Sequence, residues 1–119
     1  MPWNLDSDRP IFLQLVEKMM DDIFAGKNKA GDQFPSVRDL AIMAGVNPNT
    51  MQKALAELER TGLVYSKRTS GRFVTEDEAL IQKMKEGRAS GKVDVFLNDM
   101  ERIGVGKEEV IKIIEKKGN

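Results

Sequence analysis

Gly45-Val46-Asn47-Pro48-Asn49-Thr50-Met51-Gln52-Lys53-Ala54-Leu55 decides the fold. Asn47 is a favoured N-cap, because its side-chain oxygen can accept from a backbone N–H of the first turn. Pro48 suits the first helical position, where no N–H is needed. Met51, Ala54, Leu55 and then Leu58 recur at i, i+3, i+4 and i+7, the spacing of one buried helix face, and Gly62 ends the segment. Just upstream, Pro35-Ser36 with Asp39 three residues on marks another helix start. Val37, Leu40, Ala41 and Ala44 form its apolar side, and Gly45 closes it. Ala41 is small where the two helices would approach, Gly45 tolerates a backbone conformation that other residues resist, and Val46 and Met51 plug the angle. Two short helices joined across residues 44–47 predict a helix-turn-helix.

The flanks extend this reading. Residues 1–9 form an irregular leader with one large apolar side chain, Trp3. Pro10 opens a first helix in which Ile11, Leu15, Met19 and Ile23 repeat every four residues beside Phe12, Val16, Met20 and Phe24. Two adjacent rows predict a wide buried stripe. Gly26 ends it, and residues 28–32 read as a turn. On the other side, residues 63–67 and 72–75 read as two short strands joined by the turn chemistry of Thr69-Ser70-Gly71, a hairpin with a basic tip. Thr75 and Glu78 have capping-box spacing and predict the start of a long fourth helix, open to bending or breaking at residues 87–91 between Gly87 and Gly91. Gly104 and Gly106 end it, and a last helix runs from Lys107. The expected fold is mainly α with a small β-hairpin. A winged helix-turn-helix covers residues 1–75, and a two-helix C-terminal unit covers residues 76–119.

Composition narrows the chemistry. The chain has 119 residues, 40% apolar and 32% charged, with no cysteine and no histidine. Disulfides, Cys/His zinc sites, cysteine nucleophiles and histidine acid/base chemistry are excluded, and no convergent carboxylate or lysine set suggests an enzyme. No metal and no cofactor is expected. The charged residues of the first 25 positions and the lack of a long apolar run lead to the expectation of a cytoplasmic protein with no membrane partner.

Lys+Arg and Asp+Glu balance at 19 each, which at first argues against a polyanionic partner. The distribution says otherwise. From Asn47 to Val74 the five cations Lys53, Arg60, Lys67, Arg68 and Arg72 face two anions, Glu57 and Glu59, a local net of +3. Local charge governs phosphate binding. On the third helix, Asn49, Lys53, Ala56 and Arg60 lie opposite Met51 and Leu55, flanked by Gln52. Asn and Gln suit an adenine edge, Lys and Arg suit guanine or phosphate, and the second helix of such a motif enters the major groove. Lys67, Arg68 and Arg72 surround the hairpin tip, and Gly71 lets the backbone come close to a partner.

At these residues the sequence resembles the GntR family of bacterial transcription regulators. The resemblance is carried by Phe34-Pro35-Ser36-Val37-Arg38-Asp39-Leu40-Ala41, by the stretch from Gly45 to Leu55, by Gly62-Leu63-Val64-Tyr65, by Gly71-Arg72-Phe73-Val74 and by Pro10-Ile11-Phe12-Leu13-Gln14. The Asn-Pro-Asn-Thr turn and the short C-terminal part are similar to its short, YtrA-type branch. The resemblance implies contacts with double-stranded operator DNA from Arg38, Asn47, Asn49, Thr50, Gln52 and Lys53 and from the wing around Arg68 and Gly71. Ser36 and Pro48 at the helix starts, and Lys67 and Arg72 on the hairpin, complete the expected DNA-facing set. Thr69 and Ser70 precede Gly71 where the family's wing carries glycine, so phosphate contact is expected of this tip rather than entry into the minor groove.

The tail is too apolar for two free helices. Leu80, Met84, Phe96, Leu97, Met100, Ile103, Val110, Ile111 and Ile114 must bury somewhere, and a homodimer interface is the expected outlet, as the resemblance also implies. Two copies would present two recognition helices to a palindromic operator, as a repressor does. A winged-helix module that binds protein or RNA is the alternative. No pocket motif identifies a small-molecule effector, for which the space between tail and winged helix would be the site.

Overall fold

The computed structural model describes residues 2–118. The elements, in order, are α1 (Ile11–Phe24), α2 (Val37–Ala44), α3 (Pro48–Arg60), β1 (Val64–Lys67), β2 (Gly71–Val74), α4 (Glu78–Arg102) and α5 (Lys107–Lys117). They fall into two compact units, Met1–Gln82 and Lys83–Asn119. Among the described residues, no helix is long and apolar enough to cross a membrane.

In the first unit, α1 and α2 both pack on α3. Leu15 and Met19 of α1, Leu40 and Ala44 of α2 and Met51, Ala54, Leu55 and Leu58 of α3 are buried, and Leu63, Val64 and Val74 of the hairpin join them. Of the two expected rows on α1, the one with Leu15, Met19 and Ile23 is buried, whereas Phe12, Met20 and Phe24 are only half-buried. The helix starts follow the local chemistry. Ser36 Oγ accepts from Asp39 N–H at 3.1 Å, and Asn47 Oδ1 accepts from Asn49 N–H at 2.7 Å. Gly45 adopts φ +75° and its N–H bonds Ala41 C=O, closing α2 with a left-handed cap.

The leader is tied down by one buried polar side chain. Gln14 accepts from Asp6 N–H at 2.7 Å and donates to Asp6 C=O at 2.8 Å and Arg9 C=O at 3.1 Å. Gln14→Leu keeps the apolar volume but removes all three bonds. We expect it to lower stability by about 1–3 kcal/mol and to speed exchange of the Asp6 amide, measured by hydrogen exchange alongside thermal melting. An unchanged Asp6 exchange rate would mean the leader is held by something else.

β1 and β2 pair antiparallel with Val64 opposite Val74, Tyr65 opposite Phe73, Ser66 opposite Arg72 and Lys67 opposite Gly71. The segment expected to be a simple turn does more. Phe34 N–H bonds Arg72 C=O, Val74 N–H bonds Asp32 C=O and Gly31 N–H bonds Val74 C=O, so residues 31–34 line the free edge of β2. This covers an edge that would otherwise stay unpaired.

One expectation at the fourth helix needs correction. Its N-cap is Asp77, whose Oδ1 accepts from Leu80 N–H at 3.1 Å, and Thr75 instead accepts from Asp77 N–H in a turn one step earlier. The compact units meet between Gln82 and Lys83. The first turn of α4 belongs with the winged helix because Leu80 lies against Gly62, where an added Cβ would come within 3.3 Å of its Cδ2. α4 is continuous through Gly87 and Gly91, although each glycine costs about 1 kcal/mol in helix propensity. Among the described residues of the second unit only Val110 is buried, and α4 buries no residue of its own.

Candidate nucleic-acid interface

α3 presents the face expected of it. Asn49, Gln52, Lys53, Ala56 and Arg60 are exposed and Thr50 is half-exposed, while Met51 and Leu55 are fully buried behind them. The packing of α1 and α2 thus holds the helix by one side and leaves the other to solvent. Capping occupies two of the expected contact residues in part. Ser36 Oγ and Asn47 Oδ1 are already acceptors within their own helix starts, so the Asn47 side-chain NH₂ is its remaining polar handle. Pro48 is exposed at the first turn of α3.

The cations separate into held and available groups. Arg60 pairs with Glu57 on the same helix at 2.9 Å. Arg72, expected to meet phosphate, is instead an ion-pair partner of Glu59, with side-chain exposures of 19% and 29%. Its guanidinium is drawn inward because the hairpin folds β2 back toward the last turn of α3. Lys53 Nζ lies 4.2 Å from the centre of the Phe12 ring, and Lys67 Nζ lies 4.5 Å from that of Phe73. Neither contact involves an anion, so both ammonium groups keep their charge available. Arg38 and Arg68 are exposed, and among the described residues no ion pair engages either. The local charge of +3 is therefore embodied by Lys53, Lys67 and Arg68, since the two anions neutralise Arg60 and Arg72.

Gly71 has φ +92°, a conformation that favours glycine, and an added Cβ there would stand 3.5 Å from Gln33 Nε2. Gln33 Nε2 in turn donates to Ser70 C=O at 2.9 Å. Phe12, Gln33 and Glu59 thus shape this surface without having been expected to. Phe12 read as core, Gln33 sits in a segment without periodicity, and Glu59 counted only as one of two anions in the segment from Asn47 to Val74. Only contacts between residues distant in sequence reveal them.

The second unit distributes its expected interface residues unevenly. Phe96, Ile103, Ile111 and Ile114 are exposed, with Ile103 at 71%, and Met84, Leu97 and Met100 are half-buried, whereas Leu80, also half-buried, belongs to the first unit. Val110, at 3%, is buried within its own chain and offers no surface to a partner. Val93, Val95 and Ile113 add exposed apolar area that the expected set did not name.

Residues 12–74 match the family described as bacterial regulatory proteins, gntR family. The transcriptional repressor YtrA of Bacillus subtilis is 41% identical over 71 residues, which cover 60% of this chain and 55% of that protein. A solved GntR family transcriptional regulator from Listeria monocytogenes superposes with a TM-score of 0.87 at 37% identity, covering 94% of this chain and 98% of its own. The DNA-binding domain of AraR, solved in complex with operator ORX1, superposes with a TM-score of 0.54 at 29% identity over 63% of this chain and 92% of that one.

Proposed function

Because the chain belongs to the gntR family of bacterial regulatory proteins, we propose that it represses transcription as a homodimer that sets two α3 helices into the major groove of a palindromic operator. The observation that carries this reading is the exposed polar face of α3 beside a hairpin whose Lys67 and Arg68 are free of anions. The resemblance to a repressor and to an operator-bound domain supports the sign of regulation and the ligand. The relatives are regulators, and the chain is no enzyme.

In this reading Asn49, Gln52 and Lys53 read base edges, with Asn47 and Thr50 beside them at the start of the helix. Arg38, Lys67 and Arg68 meet phosphates, and Gly71 lets the wing backbone approach. Arg72 takes no phosphate. The exposed apolar stripe of Phe96, Ile103, Ile111 and Ile114 pairs two copies. Anisotropy titration against the DNA upstream of the protein's own gene tests the reading, run at several salt concentrations. We expect tight, salt-dependent binding to one palindromic site. Gln52→Ala should cost about 1–3 kcal/mol at one base pair and relax preference there. Equal losses on operator and random DNA would refute base reading by Gln52.

A further inference from the structure

Glu59 occupies the last turn of α3, and a single carboxylate oxygen on it joins three elements. Its Oε1 accepts from Ser66 Oγ on β1 at 3.0 Å and from Arg72 Nε on β2. Ser66 and Arg72 are themselves register partners across the hairpin. One anion at the end of the recognition helix therefore closes on a cross-strand pair of the wing. From this we propose that Glu59 is a positioning residue, which fixes the angle between wing and recognition helix so that both can meet one stretch of DNA.

The need for such a fixture follows from size. Two four-residue strands are marginal by themselves, and a hinge at residues 61–63 is all that joins β1 to α3 in sequence. Residues 31–34 brace β2 along one edge, and Gln33 holds the tip through Ser70. Among the described residues no backbone segment pairs with the outer edge of β1, and the Glu59 contact ties that strand's Ser66 to α3. The pair is more than half shielded from solvent, so salt weakens it less than it weakens an exposed pair.

The inference rests on the reading that the wing meets DNA, and it makes a prediction of unusual sign. Removing a carboxylate from a surface that faces phosphate ordinarily strengthens binding. If Glu59 positions the wing, Glu59→Gln in the full chain instead weakens operator binding, by about 3–10-fold, roughly 0.6–1.4 kcal/mol by the affinity relation. Arg72→Gln should weaken it by a similar factor, and the double variant should be no worse than either alone, since both remove the same contact. The salt dependence separates positioning from contact. Arg72→Gln should leave the slope of log affinity against log salt unchanged, whereas Arg68→Gln should lower it by about 0.9 per wing. Thermal melting of each variant, compared with the parent, checks folding. Tighter binding by Glu59→Gln, additive losses, or a slope reduced by Arg72→Gln would each overturn the positioning role. A parent protein without salt-dependent operator binding would instead overturn the DNA reading on which it stands.

Discussion

Replacing Phe96 and Ile103 together by aspartate is expected to yield a monomer that binds a two-half-site operator about 10²–10⁴-fold more weakly than the parent chain. Phe96 lies on α4, and Ile103, seven residues on, is the first residue of the turn that follows Arg102. Phe96 is 42% exposed and Ile103 71%, so neither is needed to hold its own chain together. Aspartate at each would place unpaired charge in any apolar interface formed there. The large factor comes from geometry rather than from lost DNA contacts. Joined half-sites bind as one event, because the second recognition helix arrives at high effective concentration once the first is seated. Sedimentation would report the oligomeric state, and anisotropy the affinity for full and half operators. A variant that stays dimeric would remove α4 from the interface. A monomer that binds the full operator as tightly as the parent would remove the need for pairing altogether.

The largest expected loss of stability comes from Leu55→Ala. Leu55 is wholly inaccessible at the centre of α3, on the side that α1 and α2 grip. Truncating such a leucine removes its transfer free energy and leaves a cavity, at a cost of about 2–5 kcal/mol. Domains of this size have about 5–15 kcal/mol in total. We expect a melting temperature at least about 10 °C lower, with operator binding lost as the helix-turn-helix loosens. Ala56→Ser, one residue on but exposed, should change stability by less than about 0.5 kcal/mol. Calorimetry of both variants would decide. A loss below about 1 kcal/mol at Leu55 would mean that the neighbouring side chains collapse into the space.

How much of this was legible beforehand depends on how local each signal is. Ser36, Gly45 and Asn47 act on backbone groups within four residues of themselves, and the boundaries of α2 and α3 follow from them. The buried face of α3 is likewise a local period. The fourth helix shows the limit of that reasoning, because Thr75 and Asp77 both have capping chemistry, and the hairpin exit decides between them. The brace at residues 31–34 could not be read at all. It pairs with β2 about forty positions later, and nothing in its own composition announces a strand. The same holds for Arg72. Counted by charge it belongs with Arg68, but a partner thirteen residues back engages its guanidinium. The exposed face of α3 is thus readable residue by residue, while the wing is readable only as an element. Its internal division of labour is set by contacts distant in sequence.

α4 extends for 25 residues without burying one of them. A helix of that kind gains little from its own chain, and two glycines in its middle weaken it further. If two copies pair through it as proposed, stability of the C-terminal unit and assembly become one equilibrium governed by mass action. At low abundance the chain would be a set of separate, weakly binding winged helices, and above a threshold it would become a competent clamp. Operator occupancy would rise with the square of the number of chains in the cell. The regulator's own copy number would thereby act as an input, sensed through the helix that a twin would cover.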